Sequence, residues 1–465
     1  MKRYYILITL CLAVGRSMAQ QVITLTEARN AALTANKDIK KANLTLEQTK
    51  YDIQSYKSLF YPRINLMAGD IYSNASGNLA ISGGHLPIYT YNAALGTYVP
   101  NVTVNSDGSY TLNQYADFPD QKLKFKMKNL FMGGVGLTQP LYMGGKITAA
   151  YKMATLGNMM ASENIRLSED QVIVNTDEAY ILAVRAKELA SVAESYKTLL
   201  VELQKNVDAA VVHGMKTRND QLKVAVKLNE ASLAIQKANN AYRLAKMNLC
   251  HVIGLPLDSD IEVDSNIESN LTLTEINTTG ASIERVPEHT ILQYRTDIAS
   301  QQVKLTKSDY LPNIALLGGY TYANGGELAG KKFIDTGSAY VGVTLKMPLI
   351  TFGERSSKIK SARAKLQIAQ LDQMDADEKL TLRLAQSINI LEEAKTELLL
   401  TENSLLQAEE NMKQSKQLYE VGIEPLSDYL DAQALWQKAS ANHIDARCQL
   451  LLSQTKYLQA SGSLK

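Results

Sequence analysis

Three aspartates stand shortly after two glycines at which long helical patterns stop. Asp220 follows Gly214 by six residues, Asp428 follows Gly422 by the same interval, and Asp431 lies three residues further on. Since residues three apart share one face of an α-helix, Asp428 and Asp431 place two carboxylates on one surface. Acids in a first helical turn stabilise the positive end of the helix dipole by about 0.3–1 kcal/mol each. That role suffices for Asp220 and Asp428, whereas Asp431 lies a turn deeper and gains less from it.

The other residue types that support chemistry are scattered along the chain. No two histidines have the spacing of metal ligands; the five are His85, His213, His251, His289 and His443. Cys250 and Cys448 fall at different levels of an internal repeat, so we expect small core residues and no disulfide. The Gly-x-Ser-x-Gly nucleophile motif is absent. The sequence therefore predicts no metal, no cofactor and no enzymatic activity.

Composition excludes several classes of protein. The 465 residues include 49 Lys and Arg against 47 Asp and Glu, which argues against a polybasic nucleic-acid binder and against an acidic tail. Hydrophobic residues make up 45%, the usual share for a folded chain. Residues 1–19 combine Lys2 and Arg3, a short apolar run and Ser17-Met18-Ala19, a pattern that predicts a secretory signal peptide. The exported chain then has one more acidic than basic residue.

Internal duplication is the strongest feature of the sequence. Turn-forming residues recur 208 positions apart, in the pairs Pro140 and Pro348, Gly145 and Gly353, Gly214 and Gly422, and Gly254 and Gly462. The segment around Pro62 matches that around Pro312 at an offset of 250 instead. The difference indicates an insertion in the first copy, within the Gly-, Asn- and Tyr-rich segment 73–126. We predict loops there, with room for an extra hairpin, and over the shorter segment 323–337.

Each copy is predicted to contain a helix, two strands, a very long helix and a return helix. The first repeat spans 20–256, with strands at about 63–72 and 130–141, a long helix over 146–212 and a return helix over 217–253. A polar connection, 257–285, leads to the second repeat. That repeat spans 286–465, with strands at about 313–322 and 338–348, a long helix over 354–420 and a return helix over 425–461.

Periodicity is the basis of these assignments. Apolar and polar residues alternate in the strand segments, most clearly from Ala339 to Met347. Each long helix covers 67 residues without proline, and apolar residues recur in it at heptad spacing. A helix of that length measures about 100 Å and cannot bury its apolar stripe inside a compact globule. Gly214 and Gly422 are expected to end these helices in the left-handed conformation.

Four membrane-length strands in one chain cannot close a barrel, because small barrels need about eight strands. Open strand edges are not viable in lipid, since each unpaired N–H or C=O costs several kcal/mol. The chain must therefore pool its strands with other copies. Two chains would give eight strands and three would give twelve, and the residues alone leave that choice open.

These features together resemble the TolC family of outer-membrane efflux proteins. The resemblance covers nearly all of the exported chain and begins at Thr24-Leu25-Thr26-Glu27-Ala28. Its most specific segment runs from Tyr419-Glu420-Val421-Gly422-Ile423 through Asp428-Tyr429-Leu430-Asp431-Ala432. It implies a mixed fold, in which a membrane β-barrel is continued by a long α-helical coiled-coil barrel. The internally duplicated protomer would supply four strands, so that a homotrimer has a 12-stranded barrel in the outer membrane and a 12-helix tube in the periplasm.

The resemblance also implies a function and partners. The protein would be the passive exit duct of a tripartite efflux system, joining a periplasmic adaptor and an inner-membrane pump and exporting small molecules. Carboxylates at three positions would ring a periplasmic gate that selects cations and helps keep the tube closed: Asp428, Asp431 and Asp220. The adaptor would contact the helix tips, which comprise Gly214, Met215, Val421, Gly422 and Ile423.

One position departs from the family pattern. Members often carry a basic residue two positions after the second tip glycine, where it locks the closed state, whereas this chain has Glu424. Lys216 or Arg218 of the first repeat is the candidate substitute. The first tip, His213-Gly214-Met215, also lacks the expected Val-Gly-Leu sequence.

Two other interpretations fit parts of the pattern. The same duct can serve type I protein secretion if a different inner-membrane pump is attached to it. A periplasmic adaptor or a coiled-coil structural protein would also contain long helices. Neither an adaptor nor a structural coiled coil, however, needs duplicated helical hairpins that are each joined to membrane-length strands.

Overall fold

The computed structural model describes residues 21–265 and 282–464. The signal peptide predicted at 1–19 and the larger part of the polar connection 257–285 lie outside the described residues. The chain divides into a helical unit, which comprises the described residues of 1–54, 150–303 and 359–465, and a strand unit, which comprises 55–149 and 304–358.

Helices dominate the first unit. In chain order they are α1 (Leu25–Ala35), α2 (Lys37–Ser58), α3 (Lys146–Val212), α4 (Arg218–Ile253), α5 (Pro287–Ser308), α6 (Glu354–Glu420) and α7 (Leu426–Ala460). Two short parallel strands, β1 (Gln21–Ile23) and β12 (Ile261–Val263), pair with each other in the same unit. Both α3 and α6 contain 67 residues and coincide with the two proline-free stretches of the sequence.

Local signals fix the helix ends. The hydroxyl of Thr24 accepts the amide hydrogen of Glu27, whose carboxylate accepts from the Thr24 backbone, so a capping box begins α1. Thr217 and Asp220 form the same box at α4. The return helix of the second repeat begins at Leu426, and Pro425 precedes it in an extended conformation rather than lying in the first helical turn. A proline there costs no hydrogen bond, because the first amides of a helix have no partner within it.

The heptad positions form the core of the helical unit. The buried members in α3 include Ala179, Ala186, Tyr196, Leu200, Leu203 and Val207. In α6 they include Leu391, Ala394 and Ala408, where small residues alternate with large ones and permit close helix approach. Leu182 also occupies a heptad position, yet it is 46% exposed in the single chain.

Four long antiparallel strands form the centre of the strand unit. They are β2 (Arg63–Ile71), β11 (Leu130–Met143), β13 (Asn313–Leu328) and β14 (Lys331–Lys346), in the order β2–β11–β13–β14. The loop predicted over 323–337 is wrong: β13 and β14 continue as a ladder up to a turn at Ala329 and Gly330. The glycines and polar residues of this segment are typical of loops, which is why a loop was predicted. Strand pairing, however, uses only backbone N–H and C=O groups and so tolerates these residues. Pro140 lies inside β11, at a register shift that absorbs its missing amide hydrogen.

The two faces of this sheet differ in polarity. Ile64, Leu137, Gly318 and Val341 lie side by side across the four strands, and the adjacent rows on that face add Leu66, Val135, Leu316 and Val343. On the opposite face Asn65, Gly136, Gly319 and Tyr340 form a row. Glycine is required at position 319, because a Cβ there would lie 2.5 Å from the backbone carbonyl oxygen of Val135. Over these central rows one face is therefore mainly apolar, with Gln139 and Tyr320 as its polar members, and the other carries polar and glycine residues. Towards the ends of the strands farther from α3 the first face also becomes polar, with Asp70, Asn324 and Asp335 in one row.

The insertion 73–126, predicted as a loop with room for an extra hairpin, is built from several paired strands. At its base, β3 (Ser76–Ile81) pairs with β10 (Gln121–Lys126), and β10 also reaches the end of β13. Beyond them come three pairs of short strands, namely β4 (Gly84–Pro87) with β9 (Tyr115–Phe118), β5 (Tyr89–Asn92) with β6 (Thr97–Pro100), and β7 (Val102–Val104) with β8 (Tyr110–Leu112). None of the described helices is both long and apolar enough to cross a membrane.

Candidate functional site at the helix tips

The two helix tips share one backbone geometry, 208 residues apart. Gly214 has φ +69° and Gly422 has φ +80°, as predicted for residues that end a helix in the left-handed conformation. The next amide closes the turn at both tips, with Met215 N bonding Ala210 O at 2.8 Å and Ile423 N bonding Leu418 O at 2.9 Å. This Schellman motif satisfies carbonyls that the helix end would leave free.

Apolar side chains project from both tips. Met215 is 70% exposed, Val421 is 69% exposed and Ile423 is 74% exposed. A Cβ added at Gly214 or at Gly422 would meet no atom within 4 Å, so the space around both glycines is open in the single chain. All five residues predicted to contact an adaptor therefore lie on two exposed turns.

Asp220 has a structural role that its sequence position already indicated. Its carboxylate accepts hydrogen bonds from the Thr217 hydroxyl at 2.8 Å and from the Thr217 amide at 3.2 Å. The Thr217 hydroxyl chiefly lowers the pKa of Asp220 below its ordinary value, and nearby Lys223 and Lys216 act in the same direction. Because two of its acceptor positions are occupied, Asp220 is committed to capping α4.

Asp428 and Asp431 are both exposed on α7, one helical turn apart. Asp428 lies in the first turn, where the Ser427 hydroxyl donates to its Oδ1 at 2.9 Å. The charge of Asp431 acts on Lys227 of α4: the pKa of Lys227 is raised chiefly by its hydrogen bond to Glu230 and to a lesser extent by the charge of Asp431. The structure therefore places the predicted pair on one exposed helix surface, with Asp220 in a separate cap.

The two residues considered as substitutes for the closing lock differ in their surroundings. The Lys216 ammonium lies 4.6 Å from the centre of the Tyr419 ring, a cation–π distance. Tyr419 in turn stacks on Tyr429, with ring centres 5.4 Å apart. Arg218 is exposed at the start of α4. Lys216 of the first tip therefore contacts the last turn of α6 through an aromatic ring and not through an ion pair with a carboxylate.

An apolar cluster lies behind the tips and holds the acidic turn in place. Its buried members come from α3, α4 and α7: Tyr196, Leu200, Leu203, Val207, Val224, Ala231, Leu426, Tyr429 and Leu430. Leu426, Tyr429 and Leu430 alternate along α7 with Asp428 and Asp431, so one side of the first two turns is buried and the other presents the acids. A displacement of the α7 backbone at Asp428 and Asp431 would therefore have to open this packing.

Polar contacts between α3 and α7 were missed in the sequence. Arg185 makes two hydrogen bonds to Asp445, at 2.6 and 2.8 Å. Three further links join Glu188 to Arg447, Glu178 to Lys456 at 2.9 Å, and Asp177 to Thr455 at 2.6 Å. The available signal was an acid inside an apolar stretch, because Asp177 follows Val172-Ile173-Val174 and precedes Ala179-Tyr180-Ile181.

Metal and thiol chemistry find no support in the part of the chain that the structure describes. Over 21–265 and 282–464, no three His, Cys, Asp or Glu side chains are grouped so that they could hold a metal ion. Cys250 and Cys448 are buried, as predicted, and are not bonded to each other. Burial raises the pKa of the Cys448 thiol to about 11, which keeps it protonated at neutral pH.

Comparison with known proteins identifies the family to which the chain is similar. The chain matches the sequence profile described as "Outer membrane efflux protein" over residues 28–255 and 290–463. Outer membrane protein TolC of Vibrio cholerae serotype O1 is 23% identical over 381 residues, which cover 78% of this chain and 82% of TolC. Alkaline protease secretion protein AprF of Pseudomonas aeruginosa is 22% identical over 247 residues, 52% of this chain and 51% of AprF.

A solved structure shows the same fold. The crystal structure of the outer membrane protein VceC from Vibrio cholerae superimposes with a TM-score of 0.73 at 16% identity, covering 94% of this chain and 96% of VceC. Long helical hairpins combined with a β-domain are the architecture that the two chains share, which confirms the predicted fold class. The chain belongs to the outer membrane efflux protein family and is an outer-membrane protein.

Proposed function

We propose that this protein is the outer-membrane exit duct of a tripartite efflux system, a passive trimeric channel through which small molecules leave the cell. The observation that carries the proposal is the pair of open sheet edges. Among the described residues, β2 pairs only with β11, and β14 pairs only with β13. A strand edge in lipid costs several kcal/mol per unpaired backbone group, so both edges need a partner strand.

Other copies of the chain are the partner that fits these edges. Three copies give twelve long strands, which close into a barrel wide enough for a channel, whereas eight strands fill their interior with side chains. The apolar face of the sheet suits lipid and the face with Asn65, Gly136 and Tyr340 suits a water-filled interior. Exposed apolar residues on α6, among them Leu371, Leu399 and Leu406, would be covered by the same assembly.

The acidic turn of α7 is the proposed periplasmic gate. In a trimer Asp428 and Asp431 would bring six carboxylates around one axis, where they attract cations and repel each other. The apolar cluster of Leu426, Tyr429 and Leu430 supports this assignment, because it orients both acids away from the helix core. Asp220 contributes less to the gate than to its own helix cap, since Thr217 occupies its carboxylate.

The exposed tips are the proposed docking sites for a periplasmic adaptor, which in turn joins an inner-membrane pump. Both tips have the same backbone geometry, and in each a large exposed apolar residue follows the glycine. Such a partner could therefore bind a protruding apolar side chain in the same place at both tips. A trimer would present six of these side chains. Val421, Gly422 and Ile423 form the more apolar of the two tips.

Protein secretion is the second candidate function. The match to a relative named for alkaline protease secretion supports it, because a duct of this kind can serve a different pump. The two candidates differ in what a deletion strain loses. Loss of resistance to small toxic compounds favours efflux, whereas loss of one exported protein with unchanged resistance favours secretion.

Conductance tests the shared part of both candidates. Protein purified from outer membranes and inserted into a planar bilayer should give single-channel steps, and cations added on the side of the helix tips should reduce the current. Absence of any conductance from well-folded protein would refute the duct.

A further inference from the structure

Lysine side chains line one face of β10, and the proposed function gives them no role. Lys122, Lys124 and Lys126 alternate along this strand and are exposed. Because side chains two apart in a strand point to the same face, the three ammonium groups form one stripe. The positions opposite them on β3 are Ala80, Asn78 and Ser76, none of which carries a charge. We call these three lysines the β10 stripe.

Few acids are available to neutralise the β10 stripe. Glu327 of β13 is opposite Lys126, but it is also opposite Lys332 of β14, so one carboxylate serves two lysines. Asp120 accepts a hydrogen bond from the Gly83 amide at 2.6 Å, and Asp117 lies 3.3 Å from His85. The ion pairs of the described residues include none of the three stripe lysines.

Strand register places the β10 stripe on the polar face of the sheet. Lys126 pairs with Glu327, and Glu327 lies on the same face of β13 as Gly319 and Thr321. The other face of β10 carries Leu123 and Phe125, and Phe125 pairs with Leu328. This hairpin is therefore amphipathic, with its apolar side continuing the apolar face of the long strands and its lysines continuing the polar one.

The β10 stripe also lies at a defined end of the strand unit. Met143, at the end of β11 that leads into α3, pairs with Asn313, whereas Lys126 pairs at the opposite end of β13. In the proposed duct that end opens to the outside, and the polar face lines the water-filled interior. Three copies would surround the outer mouth with nine stripe lysines.

We infer that the β10 stripe is an anion-recruiting surface of the outer mouth, which favours the passage of solutes carrying phosphate or carboxylate groups. This inference rests on the proposed function. Charges of one sign on the wall of a narrow opening raise the local concentration of the opposite ion, and the effect falls as salt screens it. The duct would then combine acids at its periplasmic gate with lysines at its exit.

Block of single-channel current by inorganic pyrophosphate tests this inference in the assembled full-length protein. Pyrophosphate is added to one compartment at a time. It should reduce the current when it is added on the side of the outer mouth, whereas cations should block from the side of the helix tips. Removing all three charges in Lys122→Gln/Lys124→Gln/Lys126→Gln should raise the half-blocking concentration about tenfold. Raising the salt from about 0.1 to 1 M should weaken block of the unaltered protein, because screening shortens the reach of the lysines.

A single pair of variants provides the matched control. Lys331 pairs with Leu328 and so lies on the opposite face at the same end of the sheet. Lys126→Gln should raise the half-blocking concentration about twofold, and Lys331→Gln should leave it unchanged. The same shift in both variants would show an effect of net charge alone and would overturn the assignment.

Two further outcomes would contradict the inference. If the triple variant is blocked like the unaltered protein, the β10 stripe does not recruit anions. If it instead loses binding to vesicles containing phosphate-bearing lipid while pyrophosphate block persists, the stripe serves a lipid headgroup and not a solute. A protein that forms no channel at all refutes the proposed function, a result distinct from intact channels with unchanged block.

Discussion

Arg29 of α1 binds Asp177 of α3 with two hydrogen bonds, from Nε to Oδ1 at 2.7 Å and from Nη2 to Oδ2 at 2.5 Å. The Asp177 side chain is fully buried, and the Thr455 hydroxyl of α7 donates to the same carboxylate at 2.6 Å. Three helices distant in sequence therefore meet at one carboxylate. The hydrogen bond to Asp177 raises the pKa of Arg29 above its ordinary value, so the guanidinium remains charged.

Asp177→Ala should destabilise the helical unit by about 3 kcal/mol, because it leaves a partly buried guanidinium and a buried hydroxyl without their acceptor. Urea unfolding of the protein in detergent, followed by the helical circular dichroism signal at a fixed protein concentration, measures the change.

Asp445→Ala is the matched control for that prediction. It breaks the ion pair with Arg185, which has the same two-pronged geometry but is about 40% exposed on both sides. A surface pair of this kind contributes about 1 kcal/mol or less. Equal losses for the two variants would show that burial of Asp177 has no special weight.

Asp428→Ala with Asp431→Ala should raise single-channel conductance or weaken block by cations. The reason is that the double variant removes six carboxylates from the proposed constriction and leaves the Leu426–Tyr429–Leu430 packing in place. Planar-bilayer recording at several cation concentrations measures both quantities.

Asp220→Ala serves as the control for the gate. Because it removes the capping partner of Thr217, it should lower stability by about 1 kcal/mol and change cation block less than the double variant does. Single-channel behaviour of the double variant that matches the unaltered protein would exclude Asp428 and Asp431 from the gate.

Gly422→Trp should abolish transport while trimers remain in the outer membrane. The indole would fill the open space around the tip and block the proposed adaptor contact. Resistance of the host to the exported compounds and the amount of trimer in membrane fractions are the two measurements.

Gly422→Ala separates bulk from backbone strain at this tip. It places a Cβ at φ +80°, which costs about 1 kcal/mol, but it adds little volume. We expect it to retain most of the transport. Full resistance in the tryptophan variant would mean that the tip is not a docking surface.

Asp170 of α3 should make stability depend on pH. Burial and the neighbouring charge of Glu288 raise its pKa from 3.8 to about 6, against a partial opposing effect of Arg166. The unfolded chain therefore ionises more readily, and the folded protein loses stability as the pH rises from about 4 to about 6. Asp170→Asn should be more stable than the unaltered protein by about 1 kcal/mol at pH 8, after allowance for solvent screening, and equal to it below pH 4.

Asp297→Asn is the control for this pH effect. It removes an exposed carboxylate of α5 that is not among the charges named as shifting the pKa of Asp170. Unfolding curves at pH 4, 6 and 8 give the free energy of unfolding of each variant relative to the unaltered protein. We expect this difference to grow with pH for Asp170→Asn and to stay constant for Asp297→Asn. A difference in free energy of unfolding between Asp170→Asn and the unaltered protein that does not change with pH would contradict the role given to Asp170.

Much of the fold could be predicted from the residues because its signals are local. Two proline-free stretches and their terminal glycines predicted α3 and α6 to the residue, and Thr217 with Asp220 predicted the cap of α4. Segment 323–337 was assigned wrongly because backbone pairing across β13 and β14 tolerates glycine and polar side chains there. Local composition carries no record of such a ladder.

The candidate site could be predicted only in part. Acid spacing placed Asp428 and Asp431 on one exposed surface, but the effect of the Asp431 charge on Lys227 depends on how α4 packs against α7. The same limit applies to Asp177 and Arg29, which are 148 residues apart and meet only in the folded helices. Contacts of that kind follow from tertiary packing, which periodicity alone does not determine.

The number of chains in the assembled protein tests the central claim most directly. Native mass spectrometry of protein extracted from the outer membrane in mild detergent measures it. The open edges of β2 and β14, together with a barrel wide enough for a channel, predict a particle of three chains. A particle of one chain, stable and folded in detergent, would contradict the shared barrel and with it the proposed duct.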